Sequence, residues 1–125
     1  MVNNNFDWYC QVFIDVSLDI DCLRNLIAEI TNGKHDTYSL VENDCLKIHV
    51  RKNHDYDNKR KTDSFDGFLF YKFFLDIAPI TTKIKFVNYV QQIKSLIKQL
   101  RDKGYSVVPA CDYEDELNDE NYISR

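Results

Sequence analysis

The stretch Phe65 to Ile77, FDGFLFYKFFLDI, sets the tightest limit on the fold. It is too aromatic for a loop and too rich in bulky side chains to favour a helix, so it reads as the central strand of a sheet. With side chains alternating between faces, Leu69, Tyr71, Phe73, Leu75 and Ile77 fall on one side, and Phe68, Phe70, Lys72, Phe74 and Asp76 on the other. The first face must be buried. The second is apolar but interrupted by charge, which predicts a sheet fully covered on one side and partly covered on the other.

The segments around this strand divide by period. Trp8 to Val16 alternates, with Trp8, Cys10, Val12, Ile14 and Val16 on one face, as in a strand with one side on the core. Ile20, Leu23, Leu26, Ile27 and Ile30 recur at helical spacing. Ser17 or Asp19 can cap this helix and Asn32-Gly33 can end it, giving a helix over about 19–31. Thr37 to Val41 and Cys45 to Arg51 flank the turn-forming Glu42-Asn43-Asp44 and read as a hairpin. Lys52 to Ser64 is charged throughout without an apolar period, which predicts a mobile loop. After Pro79, Thr81 or Thr82 can cap a long helix whose seam is Phe86, Val90, Ile93, Ile97 and Leu100, stopped by Gly104. Tyr105 to Cys111 is the last strand, and Pro109 confines it to a sheet edge.

This order predicts an α+β fold: a ferredoxin-like β-α-β-β-α-β sandwich with an extra strand in the middle hairpin, its antiparallel sheet carrying two helices on one face. At 125 residues the chain is expected to be a single domain, 1–125, with 112–125 as an acidic C-terminal tail. That tail holds six carboxylates, Asp112, Glu114, Asp115, Glu116, Asp119 and Glu120, against Arg125. It therefore carries −5 of a formal net charge of −4, which leaves +1 for residues 1–111. Mutual repulsion favours an extended, solvated tail or a site that meets cations.

Several chemistries are disfavoured. The four cysteines, Cys10, Cys22, Cys45 and Cys111, lack paired metal-ligand spacing, so free thiols are expected. His49, His54, Asp55 and Asp57 read as strand and loop polarity rather than a metal or acid-base set. With three glycines there is no phosphate-cradling loop, and no nucleophile motif is present, so no enzyme, cofactor or metal is expected. A pI near 5.3 and the lack of a basic stripe around the aromatics argue against nucleic acid. No apolar run reaches about 18 residues and the first residues are polar, so no membrane segment and a cytoplasmic location are expected.

The succession VRKNHDYD, FLFYKFFLDIAP, a long amphipathic helix ending LRDKGY, and then VVPACDYEDEL resembles small bacterial immunity proteins of polymorphic-toxin and contact-dependent growth inhibition systems. The resemblance covers roughly Val50 to Leu117, and the helix-ending Gly104 with Ala110 to Leu117 is its most specific part. It implies a non-enzymatic inhibitor of a cognate toxin C-terminal domain, often a nuclease, whose basic cleft a carboxylate-rich surface can occupy. On that reading Asp112, Glu114, Asp115 and Glu116 pair with the toxin's charges, and Tyr113 and Tyr122 are aromatic anchors. Two alternatives stand beside it. The acidic motif can instead cap the fold, with Asp112 or Glu114 accepting backbone amides, or the chain can be a ferredoxin-like regulatory or ligand-binding module that dimerises through its open sheet face. A monomer or weak homodimer is expected.

Overall fold

In the computed structural model, which describes residues 7–35, 39–62 and 66–118, six strands form one antiparallel sheet. They are β1 (Cys10–Asp15), β2 (Lys34–His35), β3 (Leu40–Glu42), β4 (Leu46–Lys52), β5 (Phe73–Pro79) and β6 (Ser106–Ala110). The helices are α1 (Ile20–Thr31), α2 (Phe86–Asp102) and the short α3 (Glu114–Asn118). The sheet order is β2-β3-β4-β5-β1-β6. The aromatic strand and the first strand are therefore central, and the Pro109 strand lies at an edge, where a missing N–H costs no ladder bond.

Register explains the core. Val12 faces Leu75 and Pro109 across its two neighbours, and Val50 faces Leu75 from the other side, so one row of side chains crosses the sheet. Cys10, Ile14, Ile48, Phe73 and Ile77 extend it, all buried. Against this face lie Leu23 and Ile27 of α1 and Tyr89, Val90, Ile93, Leu96, Ile97 and Leu100 of α2, in a single apolar cluster. Asp19 caps α1 through Oδ1, which accepts from Cys22 N–H at 2.8 Å, and Asn32 ends it at φ 55°. Gly104, at φ 92°, turns the chain after α2.

The structure corrects four expectations. The central strand begins at Phe73 rather than Phe65, because Gly67–Phe70 forms a 3-10 turn; Leu69 is consequently 40 % exposed rather than buried. α2 begins at Phe86, five residues beyond Thr81, whose hydroxyl instead accepts from Lys83 N–H at 3.1 Å; no side chain caps the helix. An additional two-residue strand, β2, pairs with β3 beyond the expected hairpin, whose Thr37 lies outside the described residues. Finally, the charged segment after β4 is built into the fold. Asn53 Nδ2 donates to Leu69 O at 2.9 Å and Tyr71 O at 2.7 Å, and Lys61 Nζ meets Asp15 Oδ2 at 2.8 Å. Gly67 lies so close to this segment that an added Cβ would stand 2.5 Å from Lys61 O. Arg60 in turn sits over the Phe70 ring at 4.2 Å.

These contacts bring the 3-10 turn across the sheet's second face. Phe68 meets Phe13 edge-on at 5.3 Å, and Phe74 meets it at 5.9 Å, which leaves Phe13 buried on that side. Among the described residues, no helix is long and apolar enough to cross a membrane.

Candidate functional site

The acidic motif emerges from the edge strand and turns back onto α2. After Ala110 the chain passes through a turn at Cys111–Tyr113 and enters α3, with Tyr113 and Leu117 each 2 % exposed. These two residues are four apart, so one turn of helix places both on the core side. The Tyr113 ring packs edge-on against Phe86 at 5.3 Å and lies 6.3 Å from Tyr89, while Trp8 stacks on Tyr89 at 5.5 Å and contacts Phe86 at 4.9 Å. Four aromatic side chains therefore form the floor beneath the acidic segment.

One backbone carbonyl organises that floor. Tyr89 Oη donates to Trp8 O at 2.6 Å, and Tyr113 Oη donates to the same oxygen. Burial, and then the neighbouring Tyr89 hydroxyl, hold the Tyr113 proton well above the ordinary phenol range, and burial raises Tyr89 likewise. Both remain neutral donors at physiological pH, because the charged form would be stranded away from water. Two basic side chains of α2 brace the segment from outside. Lys94 Nζ donates to Glu116 O at 3.4 Å, and Arg101 Nη2 donates to Val107 O at 2.6 Å and Asn118 Oδ1 at 3.2 Å.

The four carboxylates divide by role. Asp112 Oδ2 accepts from Asp7 N–H at 3.0 Å, and Glu114 Oε1 accepts from Cys111 N–H at 3.3 Å, so both close backbone donors while their side chains stay at the surface. Asp115 is exposed, and Glu116 is half-buried, with Oε2 shielded from solvent and lacking a hydrogen bond among the described residues. Glu114, Asp115 and Glu116 all sit in the first turn of α3, where unpaired backbone N–H groups favour negative charge. The expectation of an extended, solvated tail is thus corrected through Asn118. Tyr122, with Asp119 and Glu120, lies outside the described residues. Tyr113 is placed with the core: its ring supports the acidic surface from beneath and presents almost no area of its own.

Sequence reading did not connect Trp8, Phe86 and Tyr89 with this motif. By sequence Trp8 falls on the first strand's core face and Phe86 on the helix seam; Tyr113 meets them only in the folded chain, its ring against Phe86 and its hydroxyl on Trp8 O. Leu117 carried the available signal, being helically spaced from Tyr113.

Several other polar groups that sequence reading weighed serve local structure among the described residues. Asp57 Oδ1 accepts from Lys59 N–H at 2.9 Å and Arg60 N–H at 3.2 Å, which makes it a turn cap, and Asp55 follows an Asn53 turn. His49 Nδ1 lies 3.3 Å from Ser39 Oγ. On the second sheet face Tyr9 Oη donates to Asp76, which also accepts from Arg51 Nε at 2.8 Å, in a cleft of about 700 Å³. Burial and the Asp76 carboxylate raise Tyr9 above the ordinary phenol range. Another cleft, of about 830 Å³, is lined in part by Asn88, Gln91, Gln92 and Ser95 of α2 and shares no lining residue with α3. Among the described residues no group of three His, Cys, Asp or Glu side chains could hold a metal ion.

Comparison of the chain with protein-family models, with curated proteins and with solved structures finds no match.

Proposed function

We propose that the chain is an immunity protein that neutralises a basic toxin domain, often a nuclease in the systems it resembles, by stoichiometric binding through the Asp112–Glu116 surface. The observation that carries this reading is the fixed display of the carboxylates: Tyr113 and Leu117 anchor the segment in the core while Asp112, Glu114 and Asp115 remain exposed. A carboxylate on a rigid support loses little side-chain and loop entropy on binding, so it serves as an electrostatic template better than one on a free tail. Such a surface matches the phosphate-binding cleft of a nuclease in charge sign. The strand order β6-β1-β5-β4 and the packing of α1 and α2 into one apolar cluster support a ferredoxin-like core on this reading, with β2 and β3 as an added edge. On this reading the protein catalyses nothing and acts in the toxin-producing cell's cytoplasm.

The test begins with the tagged full chain in lysate of its native host. A basic protein retained at equal stoichiometry is purified, and its toxicity on expression is scored with and without this chain. The expected outcome is rescue of growth, with affinity falling about 10-fold or more for Asp115→Lys and falling again at high salt. Rescue that is indifferent to both salt and charge reversal would remove the electrostatic mechanism. Absence of rescue would remove the function. A second reading, a regulatory module that dimerises through the second sheet face, draws on Tyr9 and Leu69, 42 % and 40 % exposed near that face. Light scattering distinguishes it by the mass of the isolated protein.

A further inference from the structure

We propose that Cys10 and Cys111 form a thiol–disulfide exchange site, in which Cys111 takes up an oxidised low-molecular-weight thiol and Cys10 resolves the adduct into an internal cross-strand disulfide.

The register carries the geometry. Gln11 pairs with Ala110 and Val12 with Pro109; carrying that register one residue past the end of β6 sets Cys111 opposite Cys10, and the two side chains interact. Pro109 has no N–H and lies on an edge strand, which puts the Val12–Pro109 pair at a non-hydrogen-bonded position. By alternation Cys10–Cys111 continues that register two residues along. Opposed residues there have Cα atoms about 4.5 Å apart, within the span of about 4.4–6.8 Å that a disulfide bridges. Both residues carry free thiols, which such a bond would join.

The two sulfurs differ in access and in proton affinity. Cys111 is partly exposed and Cys10 has no exposed surface. Interaction with Cys111, followed by burial, holds the Cys10 proton up, while the Cys10 thiol lowers the affinity of Cys111 for its proton against the opposing effect of burial. Cys111 is therefore the attacking thiolate. Cys22 is more exposed, but the Asp19 carboxylate holds its proton up, and Cys45 is buried and likewise raised.

The step balances with glutathione disulfide as oxidant. The Cys111 thiolate attacks one glutathione sulfur, the glutathione S–S bond breaks, and the departing glutathione thiolate takes a proton from solvent. Cys10 then loses its proton and attacks Cys111 Sγ, which expels the second glutathione. Two electrons pass from the cysteine pair to glutathione disulfide, yielding one protein disulfide and two glutathione thiols. The new bond would join residue 10 to the first residue of the acidic turn. The site rests on none of the functional reading above.

The experiment equilibrates the full chain in glutathione buffers of graded composition, quenches with acid, alkylates, and reads intact mass and peptide maps. A species lighter by two hydrogens, with a peptide joining Cys10 to Cys111, is expected, together with a transient glutathione adduct on Cys111 at early times. Cys10→Ser should trap that adduct, and native-state alkylation of Cys111 should exceed that of Cys10 by at least about 10-fold. A Cys22→Ser/Cys45→Ser variant should close as the unaltered chain does, which keeps the test valid if Cys10→Ser misfolds. Persistent adducts without closure, linkage to Cys22 or Cys45, or full alkylation of both residues after oxidation would each overturn the proposal.

Discussion

The two faces of the sheet are covered by different means. On one, α1 and α2 lay periodic apolar stripes across a row of Val, Leu, Ile and Phe side chains, and cohesion comes from area removed from water. On the other, an irregular segment is tied down by a few directed contacts: Asn53 to two carbonyls, Lys61 to Asp15, and Phe68 to Phe13. The first kind of cover tolerates exchange of one apolar residue for another of similar volume. The second depends on particular atoms, so it is the part that can open while the remainder stays folded.

Substitutions separate the two. Leu75→Ala leaves a void in the fully buried row and should cost about 2–5 kcal/mol, read as a lower denaturation midpoint with an unchanged denaturant slope. Gly67→Ala drives a methyl group into the Lys61 carbonyl and should cost about 1–3 kcal/mol. Its signature is faster hydrogen exchange across 53–62 and 66–72 with the β1 and β5 amides still protected; uniform loss of protection would show that the two covers unfold together. Asn53→Ala withdraws donors from the Leu69 and Tyr71 carbonyls and should cost about 1–2 kcal/mol, with exchange again confined to that segment.

The smallest effect concerns the helix side. Cys22 N–H bonding to Asp19 lowers the pKa of that carboxyl below its ordinary 3.8. A depressed carboxylate contributes stability that is present above the unfolded pKa and disappears as pH falls through the folded one. Asp19→Ala should therefore lower the melting temperature slightly at neutral pH, and the difference should vanish on acidification below that range. A difference that persisted in acid would assign the effect to something other than the charged cap.

Legibility followed the same division. Residues 10–16, 20–31 and 86–102 could be read because burial imposes a period of two or 3.6 on their side chains, and a period survives without knowledge of what it packs against. Phe65 to Lys72 misled because aromatics suit a strand, whereas here Phe68 serves as a cover inserted from a 3-10 turn, a use decided by Asn53 and Gly67 contacts distant in sequence. The acidic motif misled in another way. Its like charges argue for an extended chain in isolation, but at the start of α3 they meet unpaired amides, and Tyr113 with Leu117 supplies the anchorage that charge alone lacks. The capping alternative, with Asp112 and Glu114 accepting backbone amides, described these two side chains correctly.

The position of β1 bears on how the chain is made. It leaves the ribosome before its two neighbours in the sheet, β5 and β6, which are translated some 60 and 95 residues later. Until then Val12 and Ile14 have no strand on either side, and the Trp8 carbonyl waits for Tyr89 and Tyr113. The nascent chain thus carries an interior strand of the sheet unpaired until both neighbours have been made. That interval is the natural point of engagement for a chaperone that holds extended apolar segments.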